Sequence, residues 1–415
     1  MTLEKGTPTP LKGKEKSFIE GLLKSLVSIP SVNPEEDTKS KGESQISGFL
    51  AEELEKLGMH PELQKVKESS DFGLNRQNVI SSLRLRSHRR TSSTRSLMLN
   101  GHVDTVPADE MSIDPFKPEI RAGFLYGRGA SDMKGGIASV IAAASSLLQS
   151  DEEIDGDLIL TFVVGEELHS PGIESLVTKY RADAAIVGEP TNLDLGLALK
   201  GFTHVEVEIN GNPVHGSVPE LGADAVEKMS KLVLAMKSKL QEKLRKRVHP
   251  LVGYPRIHPS TIRGGVSWNI VPDFCKLQLE GRTIPGESSD WVVHEIEALL
   301  EEIKNGEKEE SQKKFSFKVK QVFERMPMET KEDEKIVEAI KGAFHKVNGS
   351  SPRIIGLPYW CDAGYLSAVG GIPSVILGPG TVQEAHTSTE KVKLAQVFRA
   401  AALYEEIAKR FLVGE

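Results

Sequence analysis

Four short, almost wholly apolar segments constrain this chain more than any other feature, because each runs into a small residue and then an imidazole or carboxylate. Leu97-Met98-Leu99 leads through Gly101 to His102, and Leu158–Val164 leads to Gly165-Glu166-Glu167. Ala184–Val187 leads to Gly188-Glu189, and Pro373–Leu377 leads through Gly378 and Gly380 to His386. Apolar runs of this length without alternation fit strands buried on both faces, the signature of a mostly parallel sheet covered by helices. In such sheets the functional crevice lies beyond the carboxyl ends of the strands. The pattern therefore predicts an α/β architecture that aims His102, Glu166, Glu167, Glu189 and His386 at one edge. Gly101 is expected to break the first strand just before His102.

Helical periodicity fills the intervals. Phe18–Val27 is stopped by Pro30 and Ser44–Leu57 by Gly58; Ile137–Leu148 reads as a buried helix, the helical pattern resumes over Ile336–Phe344, and a helix over Leu394–Leu412 closes the first domain. Between Gly201 and Gln321 the character changes. Thr203–Asn210 alternates like a half-exposed strand, a long amphipathic helix is expected over Ala223–Leu244, and strands over Ile257–Arg263, Cys275–Arg282 and Phe315–Val322 flank a helix over Asp290–Ile303. That order predicts a small α+β sandwich with an antiparallel sheet. The chain is read as a first domain over 1–200, an insert over 201–321, and the remainder of the first domain over 322–415.

Composition excludes several classes. The 415 residues carry a net charge of −7, so no polyanion is invited overall and no nucleic-acid partner is expected. The basic cluster from Arg84 to Arg95, with Arg86, Arg89 and Arg90, lacks aromatics and reads as a solvated loop. Lys304–Lys314 reads as a charged surface loop. Two distant cysteines, Cys275 and Cys361, rule out a disulfide framework and suit a reducing compartment. No apolar run suggests a signal peptide or a membrane span, so a cytoplasmic protein is expected. No GxGxxG or Walker motif is present, which disfavours dinucleotide chemistry.

Gly127-Arg-Gly-Ala-Ser-Asp132-Met-Lys-Gly-Gly136 places Asp132 in a tight loop before a helix. Two histidines and three or four carboxylates at one edge match a two-metal site, suited to zinc with cobalt or manganese as substitutes. A carboxylate shared by two cations is a recurring hydrolytic design, and Asp132, flanked by glycines, is the best bridge. Of Glu166 and Glu167, one can ligate while the other serves as general base, since neighbours at a strand end point in opposite senses. Asp104, two residues beyond His102, suits an orienting partner for that imidazole.

These motifs, together with Ser28–Asn33, Val187-Gly-Glu-Pro190 and Ala385-His386, resemble those of the acetylornithine deacetylase, succinyl-diaminopimelate desuccinylase and glutamate carboxypeptidase superfamily. The resemblance implies a zinc-hydrolase domain, with a central mixed, mostly parallel sheet flanked by helices, and an inserted α+β lid domain that also forms a homodimer. It implies two Zn2+ per subunit, one held by His102 and Glu189, the other by Glu167 and His386, with Asp132 as bridge. Glu166 would be base and acid, Asp104 the orienter of His102, and the Asp132–Met133 peptide bond cis. His215, in Asn212-Pro-Val-His-Gly-Ser217, resembles a histidine that reaches the partner's active site and stabilises the oxyanion. Asn269 and Arg282 resemble residues that grip a substrate carboxylate, and Gly380 falls on the substrate side.

The resemblance implies an amidohydrolase that cleaves an N-acyl amino acid or related amine, with a metallo-exopeptidase as the near rival and a catalytically silent binder as the distant one. Glu280-Gly-Arg282 departs from the family's usual Asp-x-Arg. His169 reads as a surface residue, Lys200 as a hinge marker or an anion contact, and Asp362 as a specificity residue.

Overall fold

The computed structural model describes residues 13–66, 74–85, 94–152, 154–306 and 315–413. Contacts divide the chain into two compact units. One comprises Met1–Leu197, Glu329–Ile355 and Cys361–Glu415, and the other Ala198–Met328 with Gly356–Trp360. The strands are β1 (Glu62–Lys65), β2 (Gln77–Leu85), β3 (Arg95–His102), β4 (Glu119–Arg121), β5 (Phe124–Tyr126), β6 (Gly156–Val163), β7 (Ala184–Val187), β8 (Leu195–Leu199), β9 (Gly201–Asn210), β10 (Arg256–Gly264), β11 (Phe274–Thr283), β12 (Ser316–Arg325), β13 (Met328–Glu329), β14 (Ile354–Leu357), β15 (Ser374–Ile376) and β16 (Lys391–Lys393). The helices are α1 (Gly13–Ser28), α2 (Ser44–Lys56), α3 (Gly135–Leu148), α4 (Pro171–Lys179), α5 (Ala225–Ala235), α6 (Gln241–Leu244), α7 (Asp290–Asn305), α8 (Lys335–Asn348), α9 (Ala363–Ala368) and α10 (Leu394–Val413).

The large sheet runs β1-β2-β6-β3-β7-β15-β8-β13, with β14 beside β8. Its four central members, β6, β3, β7 and β15, are adjacent and mutually parallel, so their carboxyl ends share one edge. The outer pairings of β2 with β6 and β15 with β8 are antiparallel. Leu97, Leu99, Leu158, Leu160 and Ile186 are buried, as strands covered on both faces require. α3 and α10 pack together and carry apolar residues along most of their length. Beyond this sheet, β16, β5 and β4 form a three-stranded sheet of their own.

Gly101 does not break β3. The strand continues through it to His102, with Gly101 in register opposite Phe162. A Cβ there would lie 3.0 Å from Met133 Cε and 3.1 Å from Ile137 Cγ1. Its role is to let the Asp132 segment and α3 approach the strand.

In the second unit the order β10-β11-β9-β12 is antiparallel throughout. Val205, Val207 and Ile209 of β9 pair with Leu279, Leu277 and Cys275 of β11, and this face is buried in a core shared with α5 and α7. The expected helix over Ala223–Leu244 starts at Ala225, because the Asp224 carboxylate caps it by accepting the N–H groups of Val226 and Glu227. A π turn over Met236–Leu240 interrupts it, yet Met229, Leu232, Met236, Leu240 and Leu244 all stay in the core. β12 passes a bulge between Gln321 and Phe323 and runs on to Arg325, beyond the expected end of the insert.

Arg84 pairs with Asp157 across β2 and β6. Arg86, Arg89 and Arg90 lie outside the described residues, as does most of 304–314. Among the described residues no helix is long and apolar enough to cross a membrane.

Candidate metal centre

His102 is the last residue of β3 and 1% exposed. Its Nδ1 lies 3.0 Å from the main-chain oxygen of Asp104 and 3.5 Å from Asp104 Oδ1. Nε2 is thereby left for Asp132 Oδ1 at 3.1 Å and Glu189 Oε1 at 3.8 Å. The Asp104 carboxylate makes its short hydrogen bonds elsewhere. It accepts the backbone N–H of Glu166 at 3.0 Å, that of Glu167 at 3.1 Å, and Asn33 Nδ2 at 2.9 Å. The pair Glu166-Glu167 rides a turn after β6 has ended at Val163, so strand alternation does not divide the two residues; Asp104 holds the turn that does.

Asp132 sits in a single π turn, Ala130–Lys134, immediately before α3, and the Asp132–Met133 peptide bond is cis. Glu390 carries this turn. Its buried carboxylate accepts the N–H groups of Gly129, Ser131 and Asp132 at 2.9–3.1 Å and Arg128 Nη1 at 2.7 Å. Nothing local in the sequence marks Glu390, which lies some 260 positions from the loop it organises. The opposite oxygen of Asp132, Oδ2, lies 3.3 Å from His386 Nε2, and His386 Nε2 lies 3.1 Å from Glu167 Oε2. His386 adopts φ +59°, a left-handed conformation that costs a non-glycine residue energy and recurs at functional sites.

Two triads result, His102–Asp132–Glu189 and Asp132–Glu167–His386, each with its ligand atoms within 4.8 Å of one another and with Asp132 common to both. Glu167 Oε1 and Glu189 Oε1 are buried without a hydrogen-bond partner, as acceptors aimed at a cation are. Burial drives Glu189 and Glu166 well above the ordinary carboxylate range, with nearby acids adding to the effect. Burial and Asp132 push Glu167 up to about 7. Asp132 stays well below its ordinary value because the two imidazoles outweigh its burial, and hydrogen bonds to Asp132 and Glu167 raise His386 to about 10. So many carboxylates in one buried place need positive charge to offset them, and this nitrogen and oxygen donor set fits a pair of divalent cations.

Residues 98–410 match the family model described as Peptidase family M20/M25/M40. The chain belongs to that family. As an M20 protein it is a metal-dependent hydrolase that acts on amide bonds. It is 29% identical to acetylornithine deacetylase of Proteus mirabilis, over 97% of this chain and 98% of that protein. It is 28% identical to N-formyl-4-amino-5-aminomethyl-2-methylpyrimidine deformylase of Halalkalibacterium halodurans, over 92% of each. In fold it is similar to aminopeptidase PepT from Bacillus cereus, with a TM-score of 0.73 at 21% identity over 95% of this chain and 98% of that one.

The other residues of this M20 chain singled out by sequence fall in three places. Asp362 and Cys361 are buried at the start of α9, and the charge of Asp362 contributes to the raised proton affinity of Glu166 and Glu189. Gly380, at φ +87°, packs on Ser131 beside Asp132, and its N–H donates to Gln396 Oε1. His169 is half exposed, with Nδ1 2.6 Å from Glu35 Oε2. His215, Asn269 and Arg282 belong to the second unit. There His215 bridges to Ile270, and Gly216 N–H donates to the Asn269 carbonyl, so the two motif segments pair with each other. Arg282 Nε donates to Glu280 Oε1 at 2.7 Å, and Lys200 is buried with Nζ 2.5 Å from the Tyr254 carbonyl.

Proposed function

We propose that this chain is a dizinc amidohydrolase that removes an N-acyl group from an amino acid or related amine. The observation that carries the reading is Asp132 shared by two His/carboxylate triads, with Glu166 half-buried beside His102 and Glu189. His102 and Glu189 would hold one zinc, Glu167 and His386 the other, and cobalt or manganese suits the same donors. Bound there, the cations supply Lewis-acid polarisation and a water of lowered pKa. Glu166 accepts the proton of the attacking water and returns it to the leaving amine. Asp104 keeps Glu166 and Glu167 in place through their own N–H groups.

We assign oxyanion stabilisation to His215 and carboxylate binding to Asn269 and Arg282, with Gly380 on the substrate side, on the strength of the motif match. A homodimer through the second unit is supported by β10, an outer strand exposed at all but one of its positions. Two free, buried cysteines support a reducing, cytoplasmic setting.

The test is hydrolysis of N-acetyl, N-succinyl and N-formyl amino acids beside a set of dipeptides, with added zinc or cobalt. Turnover of the acyl amino acids is expected, while turnover confined to the dipeptides makes the chain an exopeptidase. Glu166→Ala is expected to keep its metal and lose about 10²–10⁴-fold in kcat; near-normal turnover refutes the assignment.

A further inference from the structure

The turn that carries Glu166 and Glu167 runs on into a stretch of backbone that its own residues do not favour. His169 and Ser170 are consecutive left-handed residues, at φ +64° and +54°, and neither is glycine. Glycine would adopt this backbone at no steric cost, whereas a side chain here costs energy and persists only where its surroundings fix it. Ser170 is buried and donates its N–H to the Gly165 carbonyl at 2.8 Å, while Gly172 N–H donates to that of Val164 at 3.0 Å. His169 is half exposed, and its Nδ1 donates to Glu35 Oε2 at 2.6 Å, since a carboxylate can only accept.

Glu35 is itself locked in place. Its Oε1 accepts Arg76 Nη1 at 2.7 Å, and the buried Arg76 is also paired with the buried Glu43 through Nε and Nη2. Arg76 lies against the start of the same turn, where a Cβ on Gly165 would come 2.5 Å from Nη2. Two residues before Glu35, Asn33 donates Nδ2 to Asp104 Oδ2 at 2.9 Å and accepts the Glu35 N–H on its Oδ1 at 3.0 Å. Asp104 in turn accepts the N–H groups of Glu166 and Glu167. The segment Asn33–Glu35 therefore reaches the turn at both ends, through Asp104 at Glu166 and Glu167, and directly at His169.

We propose that Glu35 and His169 are positioning residues for amide hydrolysis. Their hydrogen bond closes a brace, rooted in Arg76 and Glu43, that fixes where the Glu166 carboxylate stands. The inference rests on the reading of Glu166 as the base. It explains why an imidazole occupies a position where glycine would fold more easily: the side chain holds the exit of the turn as Asp104 holds its entry. A base displaced by a fraction of an ångström transfers protons less well, although the substrate still binds. A hydrogen bond made by a half-exposed side chain adds little to overall stability. Turnover that falls without a fall in melting temperature therefore separates a brace from ordinary packing.

Steady-state kinetics and amide hydrogen exchange of the full-length, metal-loaded protein test it, on whichever acyl amino acid or dipeptide the parent hydrolyses fastest. His169→Gly relieves the backbone and removes the imidazole. It is expected to lower kcat about tenfold with KM within about twofold, and to speed exchange over residues 164–170 about tenfold. Its melting temperature and its exchange elsewhere should match the parent's. His169→Asn tolerates the left-handed backbone and puts an amide N–H where Nδ1 stands, so it should recover most of the loss. Glu35→Ala leaves Arg76 its pairing with Glu43 and should match His169→Gly, and the two together should cost no more than either alone. His169→Gly as active as the parent, a loss that His169→Asn does not recover, or additive losses in the double variant overturn the proposal. Normal turnover in Glu166→Ala removes the base assignment by itself; exchange over residues 164–170 then decides the brace, which fails if His169→Gly leaves that exchange unchanged.

Discussion

Glu390 shows how much one side chain can decide. Its carboxylate gathers three backbone N–H groups and Arg128 around the turn that presents Asp132. Glu390→Ala would leave those donors buried and unsatisfied, at a cost of about 2–4 kcal/mol. A lower melting temperature and reduced metal content are expected together; metal content equal to that of the parent would show that the turn holds without it. His386 carries a second prediction. Its folded pKa is raised to about 10, so at pH 7 the metal-free imidazole is protonated and must release that proton to become a ligand. Metal affinity should therefore fall as pH is lowered. The heat of binding at pH 7 should also vary with the ionisation enthalpy of the buffer; a heat independent of buffer would contradict this.

At the scale of elements, glycines set how closely α3 meets the loops that carry the proposed ligands. A Cβ on Gly136 would lie 2.3 Å from the carbonyl oxygen of Gly188, one residue before Glu189. Gly136→Ala must therefore push the start of α3 off that loop, costing about 1–3 kcal/mol. Gly21, inside α1, has nothing within 4 Å of its would-be Cβ, and Gly21→Ala should instead stabilise by about 0.5–1 kcal/mol. Thermal or urea denaturation of the two variants checks both signs, and equal shifts would refute the packing argument.

At the scale of the whole molecule, β10 is a nine-residue outer strand with Ile262 half exposed, and Trp268 beyond it is fully exposed. A long exposed edge can pair with another chain, here through the stretch beyond the bulge at Pro259–Thr261. The proposed dimer should appear as twice the chain mass in light scattering after size exclusion, and Ile262→Lys combined with Trp268→Lys should shift it to monomer. A parent protein that runs as a monomer at every concentration removes the dimer.

Local pattern carried a large part of this protein. Unbroken apolar runs identify strands buried on both faces, and the proposed ligands that follow them fall at one edge because parallel strands end together. Alternation along Thr203–Asn210 likewise shows which face of the second sheet is covered. What local pattern could not hold was partnership between distant polar groups. Glu390 with the Asp132 turn, Asn33 with Asp104, and Glu35 with Arg76 and His169 leave no periodic trace. Each depends on hydrogen bonds that form only when far segments meet, so tertiary packing alone decided them.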